Sequence, residues 1–255
     1  MQFQRSCKFR VGVHLADCHA EALSTEAWVD NFNVPLELDY SRNTSFIGRQ
    51  GDLEHIHNFI CDINSKKKVA TPLVIHGTGG VGKTQLVREY VYVHAADFTS
   101  IIWIDAQSLQ ATQTSFLGFM QKLIYLHARR SMVTPPPYAK IARHLSMTGF
   151  IDETGRIILN EIVSNQVVSA VREWLNRSGN TSWLLVFDNV DDLETFRISD
   201  FFPNSVSGNI ILTSRRPECS RLGEGWELNV MQEQESITLL SKSYAREIRE
   251  ADDGV

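Results

Sequence analysis

The chain has 255 residues, of which 43% are apolar and 22% charged, and a formal net charge of −5. That length suits one sizeable domain or one and a half, and that composition is ordinary for a soluble globular protein. The acidic balance offers no general attraction to nucleic acid, so no nucleic-acid partner is expected.

Cys7, Cys18, Cys61 and Cys219 lie far apart and form no C-x-x-C pair. This speaks against a disulfide framework or a zinc site and for a reduced, cytoplasmic compartment. No apolar run approaches the roughly 18 residues of a membrane helix, so no membrane association is expected. Arg5, Lys8 and Arg10 are not followed by an apolar core, which excludes a secretory signal. Asp17 and Glu21 come early for a mitochondrial presequence.

Residues 1 to 40 carry no period and read as an irregular lead-in. Leu53, Ile56, Ile60 and Cys61 predict a helix over 51–62. Lys66 to Lys68 read as a solvated turn. A short buried strand follows at TPLVIHG, then a glycine loop, then a helix to about Ala95. SIIWIDAQS (100–108) is rich in β-branched and aromatic residues and reads as a second buried strand. Phe116, Phe119, Met120, Leu123 and Ile124 repeat with helical period.

Three prolines end a loop at 131–137, and 138–160 fit no single period. Val163, Val167, Val171, Trp174 and Leu175 share one face of a helix over 161–176. Further strands are predicted at 182–188, 208–214 and 226–230, and Ile237, Leu240 and Tyr244 give a last helix. Trp103, Trp174, Trp183 and Trp226 read as core. His55 and His57 are two apart and do not share a helix face, and His76 reads as packed. Apolar strands alternating with amphipathic helices predict an α/β sandwich, a mostly parallel sheet with helices on both faces.

The stretch HGTGGVGKTQ (76–85) fits G-x-x-x-x-G-K-[ST] through Gly77, Gly82, Lys83 and Thr84. Glycines permit the dihedrals and the close approach that let backbone N–H groups wrap a phosphate chain. Thr78, Gly79, Gly80, Val81 and Gln85 complete the loop and the helix start. That helix turns its positive end toward the same anion. Lys83 reaches the terminal phosphates and the Thr84 hydroxyl is a Mg²⁺ ligand. The plain alternative is a glycine-rich turn, but the strand–loop–helix context favours the phosphate loop.

A phosphate loop with Mg²⁺ needs a carboxylate on another strand tip, and LLVFD supplies Asp188. The next residue, Asn189, cannot act as a base. Asp191 and Asp192 either substitute for one or cap a following helix. No N-K-x-D or D-x-x-G sequence accompanies the loop, so adenine is favoured over guanine by elimination.

FIGRQGDLEHI (46–56), VIHGTGGVGKTQLVREY (74–90), IIWIDAQS, LLVFDNVDD and GNIILTSRR occur in one order and spacing. In this the chain resembles the NB-ARC class of signal-transduction P-loop ATPases, and among them fungal receptors of the NOD-like kind, over about residues 46–245. The resemblance implies ATP/ADP and Mg²⁺ as cofactors. It implies that Phe46, Ile47, Gly48 and Arg49 line the adenine and ribose pocket, and that Thr84 and Asp188 hold the metal. Thr213, Ser214 and Arg215 resemble a sensor whose arginine reads the γ-phosphate, with Arg216 as the alternative. Lys83, Asp188, Asp191 and Arg215 are thus the candidate catalytic residues.

The organisation implied is a lead-in (1–40), a nucleotide-binding domain (41–230) and the start of a truncated helical domain (231–255). The family's further domains close over the nucleotide, so the chain is expected to be a fragment, a truncated gene product or a stand-alone nucleotide module. Partners would be other protein domains or a second copy within a longer parent protein. Three functions stand: a slow ATPase switch in signalling, an ATP-consuming enzyme of another kind, or a non-catalytic interaction module.

Overall fold

The computed structural model describes residues 32–35, 42–66, 71–160, 162–205 and 207–252. The Lys67–Lys68 part of the predicted turn and most of the lead-in lie outside them. In chain order the elements are α1 (Gln50–Lys66), β1 (Leu73–His76), α2 (Lys83–His94), β2 (Ser100–Asp105) and α3 (Leu109–Arg130). There follow α4 (Tyr138–His144), α5 (Val163–Leu175), β3 (Trp183–Asp188), β4 (Asn209–Ser214), β5 (Glu224–Glu227) and α6 (Glu233–Asp252).

The five strands form one sheet in the order β2-β3-β4-β1-β5, and every pairing is parallel. Parallel strands must be covered on both faces, which explains their continuous apolar runs. Alternation along each strand divides the core in two. Leu184, Val186, Leu73, Ile75 and Ile211 join Ile56, Leu86, Val87 and Tyr90 under α1 and α2. Trp183, Leu185, Phe187, Val74, Ile102 and Leu212 join Phe116, Met120, Val167, Val171 and Trp174 under α3 and α5. The expected sandwich is therefore the observed fold.

Several details differ from the sequence reading. The edge strand β5 lies at 224–227 rather than 226–230, because its exposed face removes the apolar signal. Trp103 and Trp226 are half-buried, whereas Trp174 and Trp183 are fully enclosed. α3 begins seven residues before its apolar period, where the Ser108 side chain accepts from the Ala111 N–H at 3.2 Å and caps it. The ambiguous segment resolves into α4 and a tight turn closed by an antiparallel Ile151–Ile157 bridge. Phe32 and Val34 are buried, and the Val34 N–H donates to Thr99 O at 2.8 Å, so this part of the lead-in packs on the core.

Gly208 shows how local geometry constrains the core. Its φ is +79°, and a Cβ there would stand 2.1 Å from the enclosed Trp183 ring. A side chain at this position would meet both backbone strain and a clash.

His127 on α3 is 1% exposed and faces the His144 ring at 5.2 Å. Burial, then His144, Arg130 and Arg177, push its pKa down to about 4. The unfolded chain takes up a proton near the ordinary histidine value that the folded chain refuses. This contribution is therefore intact above that value and is lost as pH falls toward the folded pKa. Between about pH 7 and pH 5 the loss should be about 2 kcal/mol. Urea unfolding at both pH values should show it, and His127→Leu should flatten the difference.

Candidate nucleotide-binding site

The strand order sets β1, β4 and β3 side by side, so their C-terminal ends converge on one edge of the sheet. Each apolar run stops there in a polar residue. β1 runs into the glycine loop, β3 ends in Asp188 and β4 ends in Thr213 and Ser214. Ligands of open α/β sheets sit at such strand ends.

The loop takes its shape from glycines at two points that require them. Gly77 has φ +144°, and a Cβ on it would lie 2.7 Å from the Leu228 carbonyl oxygen. Gly82 has φ +102° and stands in left-handed backbone immediately before α2. No side chain caps α2, so its first N–H groups face the loop's interior as an anion site.

Lys83 opens α2, and its Nζ donates to Gly77 O at 2.7 Å and Thr78 O at 2.9 Å. The ammonium is thus held over the loop. Burial lowers its pKa; Asp191 and Asp188 act to raise it, and Arg215 to lower it. Such a desolvated cation favours an anion beside it.

Asp188 is 4% exposed, and its Oδ1 accepts two hydroxyl bonds. Thr84 donates from α2 at 2.8 Å, and Thr213 donates from β4. Thr213 Oγ1 in turn accepts the Asn189 N–H at 3.0 Å. Asn189 sits at φ +65°, a conformation asparagine tolerates better than most residues. The paired Thr84 hydroxyl and Asp188 carboxylate are hard oxygen donors, and this set suits Mg²⁺.

A cavity of about 250 Å³ opens above these groups, lined by Gly79, Gly80, Gly82, Lys83, Thr84, Gln85, Asn189, Asp191, Ser214 and Arg215. Arg215 lies across it toward Gly79, where a Cβ would be 3.6 Å from its Nε. Asp191 anchors it, accepting the Arg215 backbone N–H at 2.7 Å and pairing with Nε at 3.4 Å. Arg216 points elsewhere, toward Glu194 at 3.7 Å. No helix begins at 191, so Asp191 and Asp192 cap none. Asp192 closes a turn by accepting from the Glu194 and Thr195 N–H groups.

Phe46, Ile47, Gly48 and Arg49 do not line this cavity. Phe46 packs against the core beneath α1 and α2. Arg49 is 8% exposed and bridges three segments: Nη2 donates to Val81 O in the loop at 2.9 Å, and Nη1 to Asn229 O at 2.8 Å and Asp52 at 3.1 Å. Its own N–H donates to Glu235 Oε1 at 2.9 Å. Gly48 and Arg49 both have positive φ, and a Cβ on Gly48 would stand 2.2 Å from Glu235 Oε1. The Asn229 and Glu235 contacts were not foreseen, since they join residues some 180 positions apart with no local pattern.

Fold and site together define a P-loop nucleotide-binding domain. The profile of the AAA ATPase domain matches residues 45–198, and the chain belongs to that family. Membership is consistent with at most an ATPase activity. No curated protein matches the chain.

Among solved structures it is similar to Cdc6p from Pyrobaculum aerophilum, at 12% identity over 80% of this chain and 48% of that one, with a TM-score of 0.39. It is similar to the Aeropyrum pernix ORC2 protein in its ADPNP-ADP complexes, at 13% identity over 85% and 55%, with a TM-score of 0.44. Drosophila ORC bound to DNA is similar at 11% identity over 87% and 51%, with a TM-score of 0.39. The chain spans about half the length of these proteins.

The Asp188 bonds can be tested separately. Thr213→Val keeps shape but deprives Asp188 and the Asn189 N–H of a partner, and should destabilise the fold by about 1–3 kcal/mol in urea unfolding. Thr84→Val should cost less stability and instead remove the Mg²⁺ dependence of nucleotide binding, read by titration.

Proposed function

We propose that the chain is an ATP/ADP-controlled signalling switch of the NB-ARC type, with slow Mg²⁺-dependent ATP hydrolysis. The observation that carries this reading is the Lys83–Thr84–Asp188–Arg215 arrangement around one loop-lined cavity. The support for the finer assignment, to receptors of the NOD-like kind in fungal non-self recognition and cell death, is the order and spacing of the five motifs.

In this reading the loop amides from Gly77 to Gln85 bind the phosphates and Lys83 neutralises them. Thr84 and Asp188 hold Mg²⁺, which would offset phosphate charge. Arg215 reads the terminal phosphate, exchanging its Asp191 contact for it. Such an exchange gives ATP and ADP different contacts with β4, and differential contact is what biases a two-state protein. Asp191 then acts as a positioning residue rather than as a base. Asn189 provides no general base, so attack by water is slow. Phe46, Ile47, Gly48 and Arg49 border the base and ribose.

Domain limits of 41–230 for the nucleotide-binding unit and 231–255 for the start of a helical one belong to the same proposal. Ile237 and Leu240 on α6 are 52% and 70% exposed, a face suited to further protein contacts. Partners are therefore other protein domains or a second copy, not nucleic acid, as the −5 charge suggests. Among the described residues no helix is long and apolar enough to cross a membrane. A cytoplasmic location is proposed from the four scattered cysteines.

Purified protein should release ADP on denaturation, identified by chromatography, and should turn over ATP slowly. An empty chain that also fails to bind added nucleotide would overturn the reading. Lys83→Ala should abolish binding with the fold retained by circular dichroism, and Arg215→Ala should reduce the preference between ATP and ADP. Asn189→Asp should raise the hydrolysis rate, and an unchanged rate would assign the base role to Asp191.

A further inference from the structure

Arg49 does not line the loop-bound cavity, yet it touches the loop that forms it. The residue is buried, and its Nη2 donates to the Val81 carbonyl oxygen at 2.9 Å. The Val81 carbonyl and the Gly82 N–H belong to one peptide unit, and in a trans peptide these two groups point in opposite directions. A bond that holds Val81 O toward Arg49 therefore turns the Gly82 N–H the other way. Gly82 lines the cavity. Its φ of +102° belongs to glycine, whose backbone rotates with little steric resistance, so the loop alone does not fix this peptide. A cation on the carbonyl also polarises the unit and strengthens its N–H as a donor.

Arg49 is in turn held from the other end of the chain. Nη1 spends both its hydrogens, on Asn229 O at 2.8 Å and on Asp52 Oδ2 at 3.1 Å. Asp52 supplies the counter-charge, so the guanidinium has its anion without a phosphate. The Arg49 backbone N–H donates to Glu235 Oε1 at 2.9 Å. Glu235 is half-buried in the first turn of α6, and its Oε2 accepts the Gln232 N–H at 3.4 Å. The close approach of this carboxylate needs glycine at 48, where a Cβ would stand 2.2 Å from Oε1. One series of bonds thus runs from Val81 in the phosphate loop through Arg49 to Glu235 on α6.

We propose that Arg49 is a positioning residue for phosphate binding: it aims the Gly82 N–H into the loop, and Glu235 sets where Arg49 stands. Affinity for the phosphate chain is then governed from α6, without contact between α6 and the phosphates. The proposal rests on the nucleotide reading above and adds the element that regulates it. By linkage, whatever draws α6 away weakens phosphate binding, and bound phosphate tightens the hold on α6 by the same factor.

Calorimetric titration with ADP, and displacement of ADP by inorganic pyrophosphate, both with Mg²⁺, test this on the wild-type chain and three variants. Glu235→Ala removes the acceptor of the Arg49 N–H and should weaken both ligands by about tenfold, within the range usual for coupled sites. Glu235→Gln keeps an oxygen acceptor and should restore most of that loss. Arg49→Lys keeps the charge but loses the fork that reaches Val81 and Asn229 together, and should weaken both ligands as Glu235→Ala does. Equal affinities in wild type and Glu235→Ala, or in wild type and a folded Arg49→Lys, would overturn the proposal. So would a Glu235→Gln variant as weak as Glu235→Ala. Weakened ADP with unchanged pyrophosphate would put the effect on the base instead of the phosphates and overturn it too, as would pyrophosphate that fails to displace ADP from the wild type. If Arg49→Lys does not fold, the two Glu235 variants decide. A wild-type chain that binds neither ligand overturns the nucleotide reading, and this proposal with it.

Discussion

A single buried carboxylate oxygen ties the site together. Asp188 Oδ1 accepts hydroxyl hydrogens from Thr84 on α2 and Thr213 on β4 while belonging to β3. Burying an ionised carboxylate is costly unless hydrogen bonds replace the lost water. These two bonds supply that replacement, and they join three elements that are far apart in sequence. Thr213 extends the link by accepting the Asn189 N–H, which holds the turn after β3 in its left-handed conformation. The position of the metal-type donors therefore depends on packing across the whole sheet edge.

The strand order makes this convergence possible. β4 lies between β3 and β1, so residues after position 208 complete a site begun at position 77. Helices on both faces hold the sheet through two alternating apolar layers, one under α1 and α2 and one under α3 and α5. A rigid sheet with polar strand tips leaves mobility to loops and side chains. Arg215 reaches the cavity with a side chain that is 69% exposed and paired with Asp191.

Much of this was legible in the sequence because the signals were physical and local. The central strands β1, β3 and β4 read as unbroken apolar runs, and each ends in its motif residue. The glycine loop is marked by its spacing, and Asp188 by its place at the end of LLVFD. Where burial is weak, the signal fades. β5 is exposed along one face and begins two residues, and ends three residues, before the span its sequence suggests. α4 buries only Ile141 and Ala142 and showed no period. The early turns of α3 are polar, and only the Ser108 cap marks them. Contacts such as Arg49 with Asn229 and Glu235 leave no local trace, because tertiary closure alone brings them together. The stack of the His57 ring on His94, at 4.3 Å between centroids, likewise leaves no local trace, because His57 lies on α1 and His94 on α2.

In the proposed site Lys83 faces the phosphates and Thr84 with Asp188 the metal, with Arg215 lining the same cavity. Calorimetric titration of the wild-type chain with ATP and with ADP, each with and without Mg²⁺, tests this most directly. Both nucleotides should bind, ATP should gain affinity from Mg²⁺, and the two affinities should differ. Absence of binding under all four conditions, or binding indifferent to Mg²⁺ and to the terminal phosphate, would contradict it.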